Sequence, residues 1–254
     1  MTTQTGESPL AGLRTVVTGA GSGIGRAIAV AFAGAGARVG VGYWRSADAA
    51  QALAAELGGP EHPLLQADLS TAEGCEAIVA DAFAALGHVD VWVNNAGADI
   101  LTRDARDWPS ERKLESLLEL DLKATIRCSR LVAARMRPGG CILNMGWDLA
   151  ANDGMAGEEA ELFAAVKAGV LGFSKSFART VAPDVRVNVL CPGWIETAYG
   201  EGVDRALYDR VAERLPLKRW GRPEDVAGAA VWLASRGADF VTGQAINING
   251  GAIG

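Results

Sequence analysis

From Arg14 to Gly250 the chain alternates β-rich runs with helically spaced ones, and the rhythm never breaks. Residues 14–20, 38–44, 62–67, 88–97, 140–145, 185–193 and 243–250 carry the strand pattern. Residues 23–37, 47–58, 71–87, 158–173 and 223–235 carry the helical one. A long amphipathic stretch from Ser110 to Met136 fills the interval between the fourth and fifth strands. Alternation of this length predicts an α/β fold, a single doubly wound Rossmann domain whose parallel seven-stranded sheet has helices on both faces. Crossovers in such sheets are right-handed, and ligands sit off the carboxyl ends of the strands. With 254 residues, 49% of them apolar, the chain can bury a substantial core. No linker rich in Pro, Gly or Ser divides it and no internal repeat is present. The expected organisation is a frayed tail over 1–9 and one domain over 10–254. Within that domain an irregular segment over 194–222 is expected to cover the pocket.

The balance of charge narrows the function classes. A net charge of −6 without a lysine or arginine cluster argues against nucleic acid as a partner. No apolar run is long enough to span a bilayer, and the opening MTTQTGESPL lacks the order of a signal peptide. No membrane partner is expected, and a cytoplasmic protein is. Cys75, Cys128, Cys141 and Cys191 are scattered, without CxxC or paired histidine spacing, so they read as reduced core thiols rather than metal ligands. His62 and His88 sit at segment edges and are expected at the surface.

TGAGSGIG, residues 18–25, joins the first strand to the first helix. Gly19 allows a tight turn, and Gly23 and Gly25, flanking Ile24 after Ser22, let backbone amides approach a pyrophosphate at the helix N-terminus. In this strand–helix context the pattern predicts a dinucleotide site. Sites for the 2′-hydroxyl of NAD carry an acid at the end of strand two. Here that strand ends GYWRS, with Tyr43 near the acid's place and Arg45 following, suited to clamp a 2′-phosphate. NADP(H) is therefore favoured over NAD(H).

Further motifs follow in order: Asp68 and Leu69 in QADLS, NNAG over 94–97, PGWIET over 192–197, then RPEDVAGAAVWLAS and TGQAINING. With these motifs the chain resembles the short-chain dehydrogenase/reductase family over nearly its whole length. The resemblance implies an adenine contact at Asp68 and Leu69, and a brace beside the cofactor at Asn95, Ala96 and Gly97. It also implies a nicotinamide-side turn at Pro192, Gly193, Ile195 and Thr197. A small-molecule substrate and a homotetramer or homodimer are implied as well.

One lysine, Lys167, stands alone in the apolar run from Leu162 to Phe173. A buried lysine needs a partner or a task. In the family a Tyr-x-x-x-Lys pair lies on this helix at i and i+4, the lysine holding the nicotinamide ribose and the tyrosine relaying a proton. Here Lys167 is kept and Phe163 takes the tyrosine's place. Trp147 falls where the family's serine belongs, Asp148 follows it, and Asp121 aligns with the family's asparagine. A phenyl ring cannot relay a proton, a loss of roughly two to four orders of magnitude for ketone reduction.

Three functions are compatible with these residues. The favoured one is an NADP(H)-dependent oxidoreductase reducing a C=N or conjugated C=C bond, ahead of C=O, in a small apolar metabolite. In it Asp148 is the proton donor or cation partner, Lys167 positions the cofactor and Asp121 supports a water chain. Trp147, Phe163 and Trp194 line the substrate pocket, with Trp108, Tyr199 and Trp220 as further apolar candidates. The others are a non-redox enzyme (dehydratase, cyclase or isomerase) on the same scaffold, and a non-catalytic cofactor-binding partner of an active homologue.

Overall fold

The computed structural model describes residues 8–151, 154–197 and 203–252. Seven strands form one sheet in the order β3-β2-β1-β4-β5-β6-β7: β1 Arg14–Val17, β2 Arg38–Tyr43, β3 Leu64–Gln66, β4 Val91–Asn94, β5 Gly140–Met145, β6 Val185–Pro192 and β7 Ala245–Ile248. Every pairing is parallel. The strand order turns back between β1 and β4, and that switch point opens the crevice in which such sheets bind ligands.

Side chains that alternate along each strand divide the core into two layers. Val17, Val39 and Leu143 pack with Ile28 and Phe32 of α1 (Gly23–Gly34), Leu53 of α2 (Ala47–Leu57) and Leu233 of α9 (Pro223–Ala234). Their neighbours Val16 and Ile142, with Trp92 and Val187, turn the other way. They meet Ile78 of α3 (Ala72–Leu86), Cys128 of α5 (Ala124–Ala133) and Phe177 of α7 (Glu158–Val181). The two short remaining helices near the pocket are α4 (Ser110–Leu117) and α6 (Asp148–Ala151), and α8 spans Arg205–Arg214.

Several expectations change. The amphipathic stretch from Ser110 to Met136 resolves into three segments. A π-helical segment, Leu118–Lys123, separates α4 from α5, and α5 stops at Ala133. Its wider turn shifts the phase of the buried face: Leu117 packs with Ile100 and Val166, while Cys128 and Val132 face the sheet. His62 is buried, its Nδ1 accepting from the Val39 amide at 3.1 Å, and His88 is part-buried between Arg14 and Asp90. Residues 1–7 of the anticipated tail lie outside the described residues, and at Ser8 the chain already accepts a hydrogen bond from Ala11. The segment 194–222, expected to be irregular, contains α8 and a bridge between Ile195 and Gly221. Trp220 is buried there, 5.0 Å from both Trp194 and Tyr208. Tyr199 lies outside the described residues. All four cysteines are buried free thiols, and no described helix is long and apolar enough to cross a membrane.

Candidate active site

A single cavity of about 1060 Å³ runs along the carboxyl ends of the strands. That is the upper end of what one drug-sized ligand needs, and leaves room for a second molecule beside a nucleotide. Its first wall is the turn between β1 and α1. Gly19 and Gly23 take φ of +64° and +52°, conformations that L side chains rarely adopt. The Ser22 side chain makes no cap hydrogen bond, and no acid occupies the first turn of α1. Its leading amides are therefore left for an anion. By contrast Thr71 caps α3 and Asp204 caps α8 with their own side chains.

Gly25 has a packing duty as well. It is buried, and a Cβ there would lie 2.3 Å from Asn95 Nδ2 and 2.4 Å from the Gly19 carbonyl oxygen. It lets helix and turn pack closely while still lining the cavity. Asn95 locks that turn, donating from Nδ2 to the carbonyls of Thr18 (2.9 Å) and Gly19 (3.2 Å). Thr18 returns the brace by accepting at Oγ1 from the amides of Asn95 and Ala96. Thr18, which the sequence reading passed over, is thus the pin between β1 and the NNAG segment.

At the end of β2, Tyr43 and Arg45 both line the cavity. Arg45 is exposed and has no partner among the described residues, and Asp48 does not reach the cavity. Asp68 and Leu69 line the same region, with Asp68 Oδ1 accepting from the amide and hydroxyl of Ser70. Ile24, Gly97, Pro192, Gly193, Ile195 and Thr197 complete the shared wall.

Lys167 faces Asp121. Its Nζ lies 2.8 Å from Asp121 Oδ1 and donates to the Met145 carbonyl at 3.1 Å, with both side chains almost wholly buried. Asp121 Oδ2 accepts from the Ala98 amide at 2.8 Å, so the carboxylate is held from two sides. A Cβ at Gly97 would come within 2.9 Å of Asp121 Oδ1, which is why that position needs glycine. An ammonium has three N–H donors, and two are taken; one is left toward the cavity. The Phe163 ring centroid is 5.3 Å from the same ammonium, and Phe163 meets Trp147 edge-on at 5.3 Å. Trp147, Phe163 and Trp194 all line the cavity.

Asp148 is the exception. It does not line the cavity; its Oδ2 accepts from Asn249 Nδ2 at 3.1 Å, beneath Gly193. Burial pushes its carboxyl above the usual carboxylate range, and Asn249 and the local amides only partly offset this. Oδ1 is buried without a well-formed hydrogen bond among the described residues. The proton-donor role expected of Asp148 finds no support in this geometry: one residue beyond Trp147 at the head of α6, its Oδ2 engages Asn249 and the residue is absent from the cavity lining. Cys191 beside it is pushed up to about 12, by burial first and then by the Asp148 charge. Glu158, Glu159 and Glu161 read in the sequence as first-turn helix acids, but Glu159 lines the cavity; Ser116, which also lines it, and the buried Lys113 that holds Glu159 were missed. Glu159 and Lys167 lie eight apart with Phe163 midway, and that spacing was the available signal.

Residues 19–252 match the family model described as enoyl-(acyl carrier protein) reductase. The chain is 34% identical over 219 residues to the 3-oxoacyl-[acyl-carrier-protein] reductase FabG of Staphylococcus epidermidis, covering 83% of this chain and 86% of that one. It is 35% identical over 191 residues to nodulation protein G of Azospirillum brasilense, 73% and 75% of the two chains. Among solved structures, a short-chain dehydrogenase from Burkholderia cenocepacia in complex with NADP superposes with a TM-score of 0.86 at 31% identity, over 96% of this chain and 99% of that one. A short-chain dehydrogenase/reductase from Brucella melitensis gives 0.86 at 29% identity, over 96% and 98%. The uncapped glycine turn, the parallel sheet and these matches agree: the chain belongs to the short-chain dehydrogenase/reductase family, a family of oxidoreductases.

Proposed function

We propose that this protein is an NADP(H)-dependent reductase with a non-standard proton-relay site, acting on a C=N or conjugated C=C bond of a small, largely apolar metabolite. The observation that carries the reading is one continuous cavity. It leads from an uncapped helix start and a guanidinium unpaired among the described residues to an ammonium beside the Phe163 ring, which in turn meets Trp147. When bound, the dinucleotide supplies a hydride. Ser22, Gly23 and Ile24 would hold its pyrophosphate, Arg45 its 2′-phosphate, and Asp68 with Leu69 its adenine. Lys167 would use its remaining N–H on the ribose, and Ile195 and Thr197 would face the carboxamide.

By resemblance, Phe163 and Trp147 stand where a tyrosine and a serine serve ketone reduction. Neither ring gives up a proton. An iminium becomes a neutral amine on gaining hydride and needs no proton, the enolate left by hydride addition to a conjugated C=C bond takes its proton from water, and aromatic faces stabilise the starting cation. Asp121 fixes the Lys167 ammonium, so the pair orients the nucleotide, and Asp121 supports a water chain beside it. Asp148 is left with a structural task, tying the end of β5 to Asn249 after β7.

The test has two stages. NADPH fluorescence titration should show binding, and Arg45→Ala should weaken NADPH about tenfold while leaving NADH nearly unchanged. NADPH oxidation should then proceed with cyclic imines or enones and be slow with simple ketones. No NADPH binding at high micromolar concentration, or brisk ketone reduction, overturns the reading.

A further inference from the structure

Glu159, Phe163 and Lys167 recur every four residues along α7, so a single face of that helix carries all three into the cavity. Each step rises about 6 Å. The Glu159 side chain is 41% exposed, whereas Lys113, whose Nζ contacts Glu159 Oε1 at 2.9 Å, is 6% exposed. Lys113 also donates to the Arg106 carbonyl at 2.9 Å, which fixes the ammonium inside the protein. The pair is an oriented dipole with its positive end buried and its negative end toward the cavity. Lys113 holds the Glu159 carboxyl below the usual range, so it is ionised at neutral pH. Glu159 Oε2 has no partner among the described residues, and neither has the hydroxyl of Ser116, one turn along α4 from Lys113, which lines the same cavity.

We propose that Glu159 is a recognition residue for a protonated amine, or another cationic N–H group, carried by the substrate about one helical turn from the bond that reacts. A carboxylate beside aromatic walls is the combination that selects an organic cation over its neutral isostere. Phe163, one turn deeper along α7, and Trp147, packed edge-on against it, supply those walls. A plain cross-link between α4 and α7 would not require a free carboxylate oxygen in the cavity. The inference rests on the reading that substrate occupies this end of the cavity, beside the nicotinamide.

The test measures binding rather than turnover, so it fails separately from the proposed reaction. Protein loaded with NADP⁺ is titrated with phenethylamine and with its neutral counterpart 2-phenylethanol, followed by tryptophan fluorescence. The amine should bind about tenfold more tightly than the alcohol, as a charge-assisted hydrogen bond allows. Glu159→Gln should erase that preference and Glu159→Asp should keep part of it, with thermal unfolding confirming that each variant is folded. Lys113→Met should strengthen amine binding by unmasking the carboxylate, whereas a purely structural pair would leave it unchanged or weaker. Equal affinities in the wild type, no amine binding, or a preference that survives Glu159→Gln overturns the proposal.

Discussion

Burying the ammonium of Lys167 would cost several kcal/mol if it stood alone. Asp121 and the Met145 carbonyl offset that cost, and each of these contacts depends on the others being in place. Removing one partner leaves an uncompensated charge, so Asp121→Ala should lose about 3–5 kcal/mol of stability, measured by urea unfolding. Asp148 behaves in the opposite sense. Its folded-state carboxyl is raised by burial, so ionising it opposes folding. The stability it contributes is present at low pH and is lost as pH rises through its folded value. Asp148→Asn should therefore melt at a higher temperature than wild type at pH 8, with the gap closing as pH falls toward about 4. The same variant should keep turnover within about twofold, whereas a proton donor would lose roughly two to four orders of magnitude. Phe163→Tyr should fold normally yet raise ketone turnover by less than about tenfold, because Trp147 still offers the carbonyl no hydroxyl to polarise it. Steady-state assays with a simple ketone measure it.

At the level of elements, two devices hold the crevice open. One is the π segment Leu118–Lys123, which puts Asp121 into the cavity while leaving α5 to pack on the sheet. The other is a buried polar chain across β4 and β5. Asn94 Nδ2 donates to Asn144 Oδ1 at 2.8 Å and to Ser129 Oγ at 2.9 Å, and Asn144 Nδ2 donates to Ser174 Oγ at 2.8 Å. Asn94 and Asn144 are register partners, so the chain locks β4 to β5 while tying both to α5 and α7. The glycine turn is equally tight. Gly25→Ala would drive a methyl into Asn95 and the Gly19 carbonyl, so it should cost about 1–3 kcal/mol by overpacking. It should also abolish NADPH binding by displacing the turn, which parallel denaturation and fluorescence titrations would show.

Across the whole molecule, the cavity draws its walls from β1, β2, β4, β5 and β6 ends, from α4 and α7, and from Trp194 and Trp220. A ligand there touches most of the fold and should stabilise it as a unit. NADP⁺ at a hundred times its dissociation constant should add about 2.7 kcal/mol to unfolding, with slowed hydrogen exchange at the carboxyl ends of the central strands. The sequence alone determined the strand–helix alternation, the parallel sheet, the glycine turn and the isolation of Lys167, because these depend on local periodicity and on residues close in the chain. It did not determine the π turn, because a helical pattern cannot reveal one extra residue per turn that tertiary packing selects. Nor could it tell Asp148 from Asp121, two carboxylates of equal chemistry. Only the folded chain decided that one turns toward Asn249 and the other toward Lys167. Direction is set by backbone path and by which neighbours lack a Cβ, as Gly97 does beside Asp121, and those are properties of three-dimensional contact.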